Sequence, residues 1–178
     1  MNRRDFLKTG LATAGTLLLP WPALATLSGT GKRSLSLYNT HTGEQLRKIV
    51  YWENGLYRRD NLQQINFLLR DHRNDEIKPI DPALLDILYG LRQKTGTSSP
   101  FEIISGYRSP ASNKQLRNQS NGVAKNSLHM VGQAIDIRLP GYPLNKLRKA
   151  ATSMKRGGVG YYPKSNFIHV DTGRVRYW

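Results

Sequence analysis

Apolar positions recur along this chain with two periods, and each change of period marks an element. Residues 34–39 alternate, with Leu35 and Leu37 on one face, and residues 45–52 read as a partner strand across the turn chemistry of Asn39-Thr40-His41-Thr42-Gly43. A hairpin is expected there. Past the Asn54-Gly55 turn, Leu62, Ile65, Leu68 and Leu69 fall on one helical face of residues 59–71, with Asp60 as the expected cap. His72 closes that helix, where a partly cationic imidazole suits the negative pole of the helix dipole. Asp81-Pro82 opens a second helix, whose Leu84, Leu85, Ile87, Leu88 and Leu91 give a broad apolar face ended by residues 96–100. Both helices are read as packing layers.

Residues 101–108 form a strand that runs into a turn, and Ser109-Pro110 starts a helix to about Gln119 whose only strong apolar residue is Leu116. A helix that polar lies on the surface. In residues 133–138, Ala134 and Asp136 share one face and Ile135 and Ile137 the other, so Asp136 meets either solvent or a site. Leu144, Leu147, Ala151 and Met154 mark a basic amphipathic helix ended by Gly157-Gly158. Residues 159–162 and 166–171 read as a hairpin around Pro163-Lys164-Ser165, with Phe167, His169 and Asp171 on one face.

The N-terminus follows a different logic. A charged start, Asn2-Arg3-Arg4-Asp5-Phe6-Leu7-Lys8, leads into a short apolar run and then Pro20-Trp21-Pro22-Ala23-Leu24-Ala25, the layout of a bacterial export signal. The paired arginines resemble the twin-arginine type. The run is short against the roughly 20 residues of a spanning helix, so residues 1–25 are expected to be cleaved, leaving residues 26–178 as one periplasmic domain without a membrane span. A net charge of +15 favours polyanionic partners, which for an exported protein are cell-wall carboxylates and anionic headgroups. Export and the lack of a helix-turn-helix, zinc-finger or RNA-recognition signature argue against nucleic acid. The basic helix suits an anionic polymer and a plain solvated face equally.

Candidate chemistry gathers late in the chain. Residues 105–171 hold two of the four histidines and the only carboxylates after Glu102. His129 and Asp136, seven positions apart, and His169 on a later strand can give three ligands to one zinc, leaving a fourth position for water. Zinc so bound brings its water toward a pKa of roughly 7 and polarises a carbonyl, which points to a hydrolase. With no cysteine in the chain, thiolate sites and a Cys nucleophile are excluded. His41, in the hairpin turn, has no metal-type partner at a suitable spacing and reads as exposed. Asp171 shares the face of His169 and is favoured either as base for the water or as a partner that orients His169. Arg108, at a strand end, can fork onto a carboxylate or an oxyanion, although position alone leaves a surface charge equally plausible.

Ser127-Leu128-His129-Met130-Val131-Gly132-Gln133-Ala134-Ile135-Asp136 resembles the S-x-H-x-x-G-x-A-x-D motif of the D-Ala-D-Ala zinc metallopeptidases, which share their fold with lysostaphin-type peptidases and the Hedgehog domain. Ser105-Gly106-Tyr107-Arg108-Ser109 resembles that family's arginine loop, and the run from Gly157 through Gly173 is similar to its murein endopeptidase K branch. The resemblance implies an α+β fold in which helices pack a small antiparallel sheet carrying one Zn2+ per chain. It implies hydrolysis of peptidoglycan cross-links, of L,D type between diaminopimelate residues before D,D type. His129, Asp136 and His169 become the ligands, and Arg108, with Tyr107 and Ser127, is expected at the substrate. Many relatives carry Glu three residues before the last His, or a second His two before it. Here Asn166 and Phe167 stand there, so Asp171 is the expected replacement base, and a register with Asp171 as ligand and His169 as auxiliary is the alternative. The alternative function is a zinc-dependent peptidoglycan-binding module without turnover. A monomer is expected.

Overall fold

Leu35 and Leu37 take up the alternation predicted for them. In the computed structural model, which describes residues 31–120 and 122–178, β1 (Lys32–Asn39) pairs antiparallel with β2 (Gln45–Glu53), Leu35 opposite Ile49 and Leu37 opposite Leu46. The Asn39 side chain closes the turn by accepting from the backbone of His41 and Thr42 at 2.9 and 3.3 Å. The expected signal, residues 1–25, lies outside the described residues.

After β3 (Leu56–Tyr57) come α1 (Arg59–Leu68), α2 (Pro82–Thr95), β4 (Phe101–Ser105), α3 (Pro110–Gln119), a 3₁₀ turn (Leu128–Val131), β5 (Ala134–Arg138), α4 (Leu144–Ser153), β6 (Gly158–Tyr162), β7 (Phe167–Asp171) and β8 (Arg176–Tyr177). The strands form one sheet in the order β3-β2-β1-β4-β5-β7-β6-β8. The architecture is α+β, but the sheet has eight strands and is mixed: β1 with β4 and β6 with β8 run parallel. Parallel pairing needs a long crossover, and the hairpin and two helices between β1 and β4 supply it.

One continuous core joins the sheet to the helices. Leu84, Leu85, Leu88 and Leu91 of α2 are fully buried with Leu35, Leu37, Ile135 and Ile168 of the sheet, each contributing about 1.5–3 kcal/mol. Asp81 caps α2 by accepting from Ala83 N–H at 2.9 Å, and Gly96 ends it in the left-handed region at φ 64°.

Two expected helix ends fall elsewhere, for tertiary reasons. The first helix stops at Leu68, Asp60 sits in its first turn, and Arg58 caps it without a side-chain bond. Its final carbonyls are claimed from outside, Leu68 O by Asn39 Nδ2 at 2.9 Å and Leu69 O by Tyr107 N–H at 2.8 Å. Asp71 is thereby freed to receive Ser109 N–H, at the start of α3, at 2.8 Å. The fourth helix ends at Ser153, before Gly157-Gly158, and Gly158 already belongs to β6.

His72 also differs from its expected role. Its ring stacks on His41 with centroids 3.8 Å apart, and burial, followed by the charges of Arg73 and His41, pushes its pKa down to about 4. The ring is therefore neutral at pH 7 rather than partly cationic. A depressed pKa means that the unfolded chain takes the proton first, so stability present above about pH 6.5 is lost as pH falls toward 4. The ring is only partly buried and solvent screens it, so the loss is about 1 kcal/mol. Urea midpoints at pH 7 and pH 5 are expected to differ more in the wild type than in His72→Gln.

Candidate metal centre

Strand register does the first part of the assembly. Asp136 on β5 lies directly opposite His169 on β7, so both side chains rise on the same face of the sheet. The Asp136 Oδ1 to His169 Nδ1 distance is 3.0 Å. The third group arrives from the 3₁₀ turn, whose start is capped by Ser127 Oγ accepting from His129 N–H at 3.4 Å and whose end turns at Gly132, φ 71°. His129 Nε2 lies 3.3 Å from Asp136 Oδ1 and 3.2 Å from His169 Nδ1. A Cβ on Gly132 would run into the Pro79 carbonyl, so only glycine fits the sixth position of the motif. Gly132→Ala is expected to lower stability by about 2–4 kcal/mol, read from the urea midpoint, because strain and a backbone clash add.

Each imidazole is fixed from behind. His129 Nδ1–H donates to Gly106 O at 2.8 Å, and His169 Nε2–H donates to Asp171 Oδ2 at 2.9 Å. The other two ring nitrogens therefore present lone pairs toward each other and toward a carboxylate oxygen. Three acceptors in mutual contact are repulsive unless a cation stands among them. Ligands about 2.0–2.2 Å from a tetrahedral ion are separated by about 3.3–3.5 Å, close to the spacings found here. Burial alone would depress His169, yet hydrogen bonds and charge from Asp136 and Asp171 raise its pKa to about 9, so without a metal a proton on Nδ1 relieves the repulsion, and metal binding displaces that proton. Burial would raise Asp136, but the charges and hydrogen bonds of His129 and His169 hold it well below the usual carboxylate range.

Asp171 is wholly buried behind His169. Its Oδ1 accepts from Gly158 N–H, Gly173 N–H and Arg176 Nη1, and its Oδ2 from His169 and from Arg176 Nη2 at 2.7 Å. Neither oxygen is free for a water. These contacts and burial, which opposes them, leave its pKa below the ordinary range. Gly158 lacks a Cβ for a reason: one would strike the Asp171 carboxylate and the Arg176 guanidinium.

The trio opens into a cleft of about 390 Å³. One side is formed by Ser120, Gly122, Val123, Ala124, Asn126 and Ser127, and the other by Tyr162, Phe167 and Trp178. Arg108 reaches in from the end of β4, with Nη2 3.7 Å from Asp136 Oδ2 and a backbone N–H bonded to His129 O at 3.2 Å. Its Nε is the one buried side-chain nitrogen or oxygen without a partner among the described residues. Burial lowers its pKa against the pull of Asp136. Ser127 lines the cleft, but Tyr107 does not: it is 4% exposed, packed in the core, and its hydroxyl bonds Glu76. The structure does not bring Tyr107 to the cleft, because past β4 its N–H is bonded to Leu69 O and its hydroxyl to Glu76, while Arg108 N–H is bonded to His129 O. A larger groove, about 640 Å³ between β2 and α1, holds no His.

Sequence reasoning missed Arg176 and Trp178. Trp178 packs tilted on His169, centroids 5.3 Å apart, occupies the space where Gly160 has no Cβ, and donates from its indole to Tyr162 Oη at 2.8 Å. Both sit at the two-residue strand β8, too short for any periodic signal. Phe167 carried a partial signal, being on the face of His169.

A carboxylate and two back-bonded imidazoles at the floor of a cleft are the donor set of a metallopeptidase, and comparison with known proteins places the chain within that class. Residues 27–178 match the family described as peptidoglycan L,D-endopeptidase MepK, and the chain belongs to it. It is 49% identical over 177 residues to the peptidoglycan L,D-endopeptidase MepK of Escherichia coli K12, covering 99% of this chain and 97% of that one. The Shigella flexneri protein of the same name matches equally. A Haemophilus influenzae protein named "Probable peptidoglycan L,D-endopeptidase MepK" is 42% identical over 178 residues, covering 99% of this chain and 95% of that one. Residues 1–20 match the twin-arginine translocation pathway signal, which directs export to the periplasm. No helix of the described residues is long and apolar enough to cross a membrane.

Proposed function

We propose that this protein is a zinc endopeptidase that hydrolyses the L,D cross-links between diaminopimelate residues of peptidoglycan. One observation carries the metal part: one ligand atom each from His129, Asp136 and His169 converge within 4.8 Å of one another at the floor of the cleft. Two imidazoles and a carboxylate, with no thiolate, suit zinc. When bound, the metal supplies Lewis-acid activation of water and of the scissile carbonyl.

The chain does the rest. His129, Asp136 and His169 hold the ion, while Gly106 O and Asp171 fix the two rings, which makes Asp171 a positioning residue. Arg108, which lines the cleft, offers its guanidinium N–H groups to a carbonyl or carboxylate oxygen of the peptide. Ser127 and the aromatic wall shape the cleft around the cross-link. Among the described residues Asp136 is the only carboxylate that lines it, so the cleft offers no separate carboxylate base. The working enzyme is residues 26–178, released after Ala25.

The test is incubation of the zinc-loaded protein with cross-linked muropeptide dimers of defined bond type, products followed by mass. Conversion of the L,D-linked dimer to monomers, stopped by chelator, is expected. Cleavage of only the D,D-linked dimer would reassign the bond. Zinc bound without conversion of either would leave a binding module.

A further inference from the structure

Along β6, Gly160 lies opposite His169 and Tyr162 opposite Phe167, so Gly160 and Tyr162 share the face of the sheet on which His169 stands. Tyr161, between them, turns to the other face, where Arg148 of α4 lies over its ring at 4.9 Å. The Tyr162 ring is held at two points. It stacks on Phe167 with centroids 4.7 Å apart, and its Oη accepts from the Trp178 indole N–H at 2.8 Å. Trp178 is fixed in turn: its backbone N–H donates to Val159 O at 3.2 Å, its carbonyl accepts from Tyr161 N–H at 2.9 Å, and its indole fills the space that a Cβ on Gly160 would take.

Core packing does not call for this arrangement, since Trp178 is 46% exposed, Tyr162 and Phe167 are half-buried, and all three line the cleft. A hydroxyl that accepts an N–H still has its own hydrogen to give. Among the described residues no acceptor takes the Tyr162 O–H, so it is left for what enters the cleft. Arg108 lies within reach of the same phenol: burial lowers its pKa, and the charges that oppose burial are those of Asp136, Asp71 and Tyr162. Phenol and guanidinium therefore face one space, beside the trio of His129, Asp136 and His169.

We propose that Tyr162 is a catalytic residue whose O–H donates to the scissile carbonyl oxygen as hydrolysis turns that oxygen into an oxyanion. The proposal rests on the endopeptidase reading and adds a group to its site. When water adds to the carbonyl carbon, negative charge collects on an oxygen that carried none in the substrate. A donor already fixed at that place lowers the barrier without tightening substrate binding. A phenol suits this task because it is a neutral donor, whereas the guanidinium of Arg108 suits a peptide carboxylate, which is charged throughout. The Tyr162 O–H bond stays intact and no proton is transferred from it. Trp178 acts through Tyr162 as a positioning residue, since its indole fixes where the phenol oxygen stands.

The experiment compares the zinc-loaded wild type with Tyr162→Phe, which keeps the ring and its stacking and loses only the hydroxyl. Both are given an L,D-linked muropeptide dimer and a phosphinate in which tetrahedral phosphorus replaces the scissile carbonyl. Tyr162→Phe is expected to lower kcat about 10²-fold or more with KM within about twofold, and to bind the phosphinate about tenfold or more weakly. Its zinc affinity and urea midpoint should match the wild type. Trp178→Phe, which leaves a ring beside His169 but no N–H, should lower kcat about three- to tenfold, the scale of one hydrogen bond. Tyr161→Phe makes the same deletion on the opposite face and should stay within about twofold of wild type. Turnover of Tyr162→Phe within about threefold of wild type, a loss confined to KM, or a parallel loss of zinc would each overturn the proposal. If the wild type cuts no dimer of either bond type, the endopeptidase reading fails by itself, and equal phosphinate affinities in wild type and Tyr162→Phe would still overturn the role of the hydroxyl.

Discussion

His169→Ala is expected to lose the metal and to reduce turnover by about 10³-fold or more, the scale of a lost electrostatic contribution near 4 kcal/mol. The imidazole is the only group between Asp136 and Asp171, bonded to one at 3.0 Å and to the other at 2.9 Å. Without it, His129 and Asp136 remain as two ligands, and Asp171 loses one of its five donors. Chelator competition should find no tight zinc site, and added zinc should not restore turnover. Retention of one tightly bound zinc would show that Asp171 is a ligand and His169 the auxiliary group.

The second large effect belongs to Asp171→Asn. The side chain keeps its size, but its amide places hydrogens against donors, since Gly158 N–H, Gly173 N–H, Arg176 and His169 all point at these two positions. Arg176 is left without its carboxylate, and breaking a buried pair on one side costs about 3–5 kcal/mol. His169 loses the acceptor that fixes its tautomer, so zinc affinity should drop about 10–100-fold. A general base behaves differently: its loss leaves zinc affinity alone and lowers kcat by about 10²–10⁴-fold. Zinc competition and turnover on the same preparation separate the two roles.

Much of the site was legible because its residue types are rare in this chain. With four histidines and only two acids after Glu102, the spacing of His129, Asp136 and His169 was already informative, and the resemblance sharpened it. Arg108 was even between the site and a surface charge on position alone, and only the resemblance to the arginine loop placed it at the cleft. The partner of each ring nitrogen was not: Gly106 O lies 23 residues from His129, and no pattern encodes a backbone carbonyl as acceptor. The position of Asp171 on the face of His169 suggested both a base and an orienting partner. Its burial, and Arg176 forked onto it, favour the second.

The sequence by itself determined six of the eight strands, the four helices, the export signal and the convergence of a metal-type trio, since periodicity, capping and residue type are local properties of the chain. Tertiary structure decided where α1 stops, because Asn39 and Tyr107 take its last carbonyls and Asp71 is wanted at α3. It decided that β1 meets β4 in parallel, that Tyr107 faces the core, and that Trp178 and Arg176 close the site. Each depends on groups far apart in sequence, whose pairing is set by which buried polar groups must find partners once the core has closed.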